Sequence, residues 1–211
     1  MNRDFIAKSN YVLRKVLNTK DSLDIVKDFI ESILKIKIEK ITLNTYLKKI
    51  ENKLPKEENF GIVDVRIKKE DGEEINVAIQ IIDGYYVKNK MLLYYSQIHS
   101  NQLEYEDGRN LAKTITINIL DFKYFDSIEY HKKIEIKTNN EKDINGNVIL
   151  HVLELPKFRK EKDNINTREE EWMIYLKGND IEKMNKVFKE NKNIKKLDDK
   201  LKEYWKKEKM E

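Results

Sequence analysis

Cysteine is absent from this chain of 211 residues, which excludes disulfide scaffolds, thiolate metal centres and cysteine nucleophiles together. Proline (2) and glycine (6) are scarce and never cluster, so no flexible linker is expected. No apolar run approaches the roughly 18 residues of a membrane span. The opening Met1-Asn2-Arg3-Asp4 leads into an amphipathic segment, not an apolar leader. A soluble, cytoplasmic protein is expected. Charge of one sign is lacking too. The 42 Lys+Arg nearly balance 38 Asp+Glu, and a net charge of +4 does not by itself point to nucleic acid. His99, His131 and His151 never fall at i, i+4, so a zinc site is not expected. No Walker loop and no Gly-x-Gly-x-x-Gly is present, which argues against a nucleotide cofactor.

What is present suffices for a core, with 39% apolar residues. The abundance of Lys, Asn and Ile fits an AT-rich genome, bacterial or phage. The first third reads helical. Phe5, Val12, Leu13, Val16 and Leu17 recur at helical spacing, and a second helix carrying Leu23 to Leu34 follows Asp21-Ser22, an N-cap candidate. Ile38 to Leu43 suits a short strand. The period then shortens to two over Gly61–Lys68 and Glu74–Ile82. A helix is expected from about Tyr86 to Leu103, a buried strand over Thr114–Leu120, and a strand pair over Tyr130–Lys137 and Val148–Leu155 turning at Asn145-Gly146-Asn147. From about Thr167 the pattern is helical and Lys-rich. These readings give an α/β or α+β core over residues 1–165 and a C-terminal helical segment over 166–211.

The Gly61–Ile82 segment allows its register to be argued. Val63, Val65 and Ile67 share one face of the first strand, and Ile62, Asp64 and Arg66 the other. A two-residue Asp71-Gly72 turn would set Asp64 opposite Ile79 and mismatch the faces. A three-residue loop, Glu70-Asp71-Gly72, puts Gly72 at the left-handed position and matches them. Asp64 then faces Ala78, Arg66 faces Asn76 and Ile62 faces Gln80. Asp64, Ala78 and Gln80 are thus expected on one face of the hairpin, at a concave surface within reach of a phosphate.

Here the chain resembles a known family. Val63-Asp64-Val65-Arg66, the Asp71-Gly72 turn and Ile75-Asn76-Val77-Ala78-Ile79-Gln80 are similar to the core motif of PD-(D/E)XK nucleases, in the transposase-like branch that includes the recombination-promoting nucleases. Tyr94-Tyr95-Ser96 with Gln102-Leu103, Thr116 to Leu120, His151 to Phe158, and Trp172 resemble the family's later blocks in order. The resemblance implies a restriction-endonuclease-like mixed sheet flanked by helices, and cleavage of DNA with Mg²⁺ or Mn²⁺. It also implies roles: Asp64 as metal-binding acid, the Ile79 carbonyl as a further ligand, Gln80 in place of the usual lysine to orient water, and Lys88 and Lys90 as phosphate contacts.

One departure stands against these matches. The family's second metal-binding acid is a glutamate, and the chain has Ala78. A methyl group offers a cation no electrons, and Mg²⁺ gives up its water reluctantly, so impaired catalysis is expected. Natural loss and deliberate replacement both account for the alanine, and the intact surroundings favour replacement. A third route is an acid from elsewhere, with Glu31 on the first core helix and Asp83 as the choices. The rival readings are a non-catalytic DNA-binding or interaction module that keeps the fold, and a structural protein assembling through its C-terminal helices. A homodimer through Leu197, Leu201, Tyr204 and Trp205, or DNA-backbone contact by the C-terminal lysines, would follow from that segment. Its interleaved acids make a solvated face the default.

Overall fold

A mixed sheet of six strands runs through the computed structural model, which describes residues 10–44, 62–82, 87–104, 111–135, 148–159 and 165–208. The helices are α1 (Asn10–Leu17), α2 (Leu23–Leu34), α3 (Val87–Asn101), α4 (Arg168–Lys177), α5 (Ile181–Glu190) and α6 (Lys192–Glu208). The strands are β1 (Ile38–Leu43), β2 (Ile62–Lys69), β3 (Glu74–Ile82), β4 (Lys113–Leu120), β5 (His131–Glu135) and β6 (Val148–Glu154). Their spatial order is β1-β2-β3-β4-β6-β5, with β3–β4 and β4–β6 parallel and the other pairs antiparallel. This is the expected α/β sheet with flanking helices and a helical C-terminus. The Asn145-Gly146-Asn147 turn, Phe5 and Asp83 lie outside the described residues.

The β2–β3 hairpin adopts the argued register, with Asp64 opposite Ala78, Arg66 opposite Asn76 and Ile62 opposite Gln80. Gly72 closes the loop at φ +89°, where an L-residue would clash with its own backbone. The period of two then sorts the sheet into two faces. One sends Val63, Val65, Ile67, Val77, Ile79 and Ile117 into the main core, against apolar residues of α1, α2 and α4 to α6. On the other face, α3 packs through Met91, Tyr94 and Ile98.

The C-terminal helices share that main core. Thr167 caps α4 by accepting from the Glu170 N–H (3.2 Å), three glutamates in the first turn suit the helix dipole, and Gly178 ends the helix at φ +64°. Trp172 is buried edge-on against Phe29 (5.1 Å between centroids), and its indole N–H donates to Asp28 at 2.8 Å. Leu197 and Leu201 are fully buried within this chain, so they are not available to a dimer interface. Several of the α6 lysines are paired with acids. Lys196 pairs with Asp24 at 2.7 Å, Lys200 with Asp21, and Lys202 with Asp198. Ser22 does sit at the N-cap of α2, but its hydroxyl donates to the Val16 carbonyl (2.7 Å) and caps nothing.

Candidate active site

The α3-covered face carries a polar band across three strands. Asp64 on β2 lies opposite Ala78 on β3, which lies beside Thr116 on β4; Gln80 pairs in the same way with Asn118. Asp64 is 1% exposed, Ala78 1% and Gln80 2%, with Asn76 and Asn118 wholly buried. Polar groups this deep need partners, and most have them. Asn44, just past β1, donates from Nδ2 to Asp64 Oδ1 (2.9 Å) and to Asn76 Oδ1 (3.3 Å). Gln80 Nε2 donates to Asn118 Oδ1, and Asn118 Nδ2 donates to Thr116 Oγ1 (3.1 Å) and the His151 carbonyl (3.0 Å). Within the band three atoms have no partner among the described residues: Asp64 Oδ2, Gln80 Oε1 and Asn76 Nδ2. Burial pushes the Asp64 carboxyl up to about 7 against the pull of the Asn44 hydrogen bond, so near neutrality it holds a proton about half the time.

The expected open, concave surface is not what the fold provides. Tyr94 and Ile98 of α3 pack on the Ala78 methyl and close the band from above. The reason lies in α3 itself, which buries Met91, Tyr94, Tyr95 and Ile98 on the sheet and leaves Leu92 and Leu93 outside.

Other expected site residues are more scattered. Glu31 is not brought to Asp64. It belongs to α2 on the opposite side of the sheet, and its carboxylate accepts the Ile38 N–H at 2.7 Å, which fixes the start of β1. The Ile79 side chain enters the main core, and its backbone belongs to a strand paired on both sides. Lys88 is exposed on the first turn of α3; Lys90 lies on the next part of that helix. Sequence reasoning missed Asn44 and Asn118. The polar alternation Thr114, Thr116, Asn118 was a usable signal for one face of β4. Nothing in the sequence reveals that β4 lies parallel to β3 and meets Gln80.

The leftover oxygens are hard donors of the type Mg²⁺ and Mn²⁺ prefer. They supply a single carboxylate, and among the described residues no three His, Asp or Glu side chains converge as a metal site. The band therefore suits a divalent cation in donor type and falls short in charge. Among the described residues no helix is long and apolar enough to cross a membrane. No curated protein and no solved structure matches the chain. The family model for the PD-(D/E)XK nuclease family transposase matches residues 7–211, spanning sheet, polar band and C-terminal helices alike, and the chain belongs to that family.

Proposed function

We propose that the chain has the framework of a metal-dependent DNA endonuclease and that Ala78 leaves it impaired in hydrolysis. The observation that carries this reading is the buried pair of unpartnered oxygens, Asp64 Oδ2 and Gln80 Oε1, flanking Ala78 on one sheet face of a PD-(D/E)XK family member. A bound Mg²⁺ or Mn²⁺ would supply charge neutralisation at the phosphate and a more acidic water. Asp64 would hold that ion together with the Ile79 carbonyl. Gln80, fixed through Asn118, would orient the attacking water, and Lys88 and Lys90 would contact phosphates. A glutamate at position 78 would bring a second carboxylate into the same band. Recombination, mobile-element traffic and defence against phage are the settings that such a cytoplasmic nuclease would serve.

The closed band favours a second reading, a non-catalytic DNA-binding or interaction module that keeps the fold. One assay separates the two: supercoiled and linear DNA incubated with Mg²⁺ or Mn²⁺, using this chain and Ala78→Glu. Metal-dependent cutting by Ala78→Glu, absent with EDTA, supports the nuclease. A folded Ala78→Glu that binds DNA without cutting supports the module.

A further inference from the structure

The fold joins two of the histidines that the sequence keeps apart. His131 on β5 and His151 on β6 are diagonal neighbours, since Lys133 pairs with His151 and His131 with Leu153. His131 Nε2 lies 2.8 Å from His151 Nδ1, and His131 Nδ1 lies 2.8 Å from Glu169 Oε1 in the first turn of α4. The same carboxylate accepts from the Tyr130 hydroxyl (3.2 Å) and pairs through Oε2 with Lys35, just past α2, at 2.6 Å. A single line of contacts thus runs from α2 through α4 and β5 to β6. Its centre is largely shielded from solvent, with the His131 side chain 20% exposed and that of Glu169 8%, while Lys35 at its end is exposed.

We propose that the His131–His151 contact is an acid-sensitive latch between the edge strand β5 and its neighbour β6, closed with one proton between the facing ring nitrogens and open with two. The argument is one of donors and acceptors. With its Nδ1–H given to Glu169, a neutral His131 accepts at Nε2 from the His151 Nδ1–H. A protonated His131 donates from Nε2 to a bare His151 Nδ1. Either arrangement places one proton in the 2.8 Å gap. A second proton sets two N–H groups and two positive charges against each other.

The surrounding charges decide when that happens. Burial holds the His151 imidazole down at about 4, helped by His131 and Lys133 and opposed by Glu135 and Glu169. Burial would raise the Glu169 carboxyl, but the hydrogen bonds from His131 and Lys35 outweigh it and hold the group at about 2. Glu169 therefore keeps its charge while His151 titrates, and the latch fails between the rings. An unfolded histidine takes up its proton near 6.5 and the folded His151 does so near 4. Between these values the unfolded chain binds more protons, so the latch weakens as pH falls through that window and levels off below it. The His151 carbonyl is also the acceptor for Asn118, which places the latch beside the polar band, but the proposal does not depend on nuclease activity.

The test uses the full chain. Ring-nitrogen NMR follows both histidines from pH 8 to 4, and hydrogen exchange reports Lys132 to Ile134 of β5, corrected for intrinsic rate. His151 is expected to stay neutral until below pH 5, with exchange in β5 rising at least about tenfold as pH falls from 6.5 towards 4 and levelling off below. His151→Gln can still bond His131 and cannot titrate, so it should flatten that rise. An ordinary His151 titration near 6.5, or an unchanged rise in His151→Gln, overturns the latch. If the variant does not fold, the wild-type titration and exchange profile decide.

Discussion

Asn44 and Asp64 meet where β1 ends, and the amide of Asn44 donates to one carboxylate oxygen at 2.9 Å while the other oxygen has no partner among the described residues. The acid is therefore half-satisfied in a place where water is excluded. Its carboxyl rises from 3.8 to about 7 for that reason, burial being the larger cause. The folded state binds more protons than the unfolded state between those values. Stability contributed by this group falls as pH rises from about 4 to 7 and is flat beyond. Asp64→Asn should remove that fall and be more stable than wild type at pH 8, by up to roughly 4 kcal/mol. Urea denaturation of both proteins at pH 5 and pH 8 checks this. The comparison cancels the opposite slope from His151, which both proteins carry. An equal gap at the two pH values would remove Asp64 from its buried, half-satisfied place.

Asn118 is the hub of the band, and its loss should be costly. Asn118→Ala strips Gln80 Nε2 of its acceptor and the His151 carbonyl of a donor, both deep in the sheet. Two stranded polar groups at about 1–3 kcal/mol each predict a loss of roughly 2–6 kcal/mol in chemical denaturation. Asn118→Asp keeps the acceptor for Gln80 and loses the donor, so it should fall between alanine and wild type at low pH.

Gly72→Ala isolates backbone strain from packing. A methyl group there meets nothing within 4 Å, yet φ is +89°. The expected loss is about 1–2 kcal/mol with no change at the polar band, measured by urea denaturation alongside the spectrum of Asp64. A larger loss would mean that the β2–β3 register itself had shifted.

The hairpin was legible in the sequence because three independent signals agreed: the strand alternation, the Asp71-Gly72 turn and the requirement that apolar faces match. The helical C-terminus was legible from its period. What stayed hidden depends on contacts between distant segments. Leu197 and Leu201 look the same in sequence whether they meet a partner or, as here, α1 and α2 of their own chain. Glu31 sits at helical spacing from the core positions of α2, but only the chain reversal into β1 shows that the Ile38 N–H claims it. The burial of Asp64 depended on which face of α3 meets the sheet, and α3 is apolar on both sides.

The lysines divide into two groups by the same logic. Lys196 and Lys200 face Asp24 and Asp21 across the α6–α2 side, and exposed pairs of this kind add little stability. Lys88 carries no ion pair among the described residues and lies at the start of the helix over the polar band. If DNA binds this face, Lys88→Gln should weaken binding and shallow its salt dependence by about one counterion, whereas Lys196→Gln should leave both unchanged. Fluorescence anisotropy at several salt concentrations reads both quantities.

Ala78→Glu brings these relationships together. The new carboxylate would enter a space now occupied by contact between the Ala78 methyl, Tyr94 and Ile98, directly across from Asp64. Without a cation it adds a second buried acid beside the first, so a stability loss of about 3–5 kcal/mol is expected at pH 8. Mg²⁺ or Mn²⁺ should then raise the thermal midpoint of Ala78→Glu well beyond any shift seen in the wild type, because only the paired carboxylates offer the cation enough charge. Asp64→Ala in that background should abolish the metal response and any DNA cutting together, since the two acids act as a unit. Calorimetry with and without EDTA reads the first effect and plasmid relaxation the second. A metal response without cutting would show that the cation site is restorable while α3 still bars the phosphate, and substitution of Tyr94 by serine would then be expected to open it.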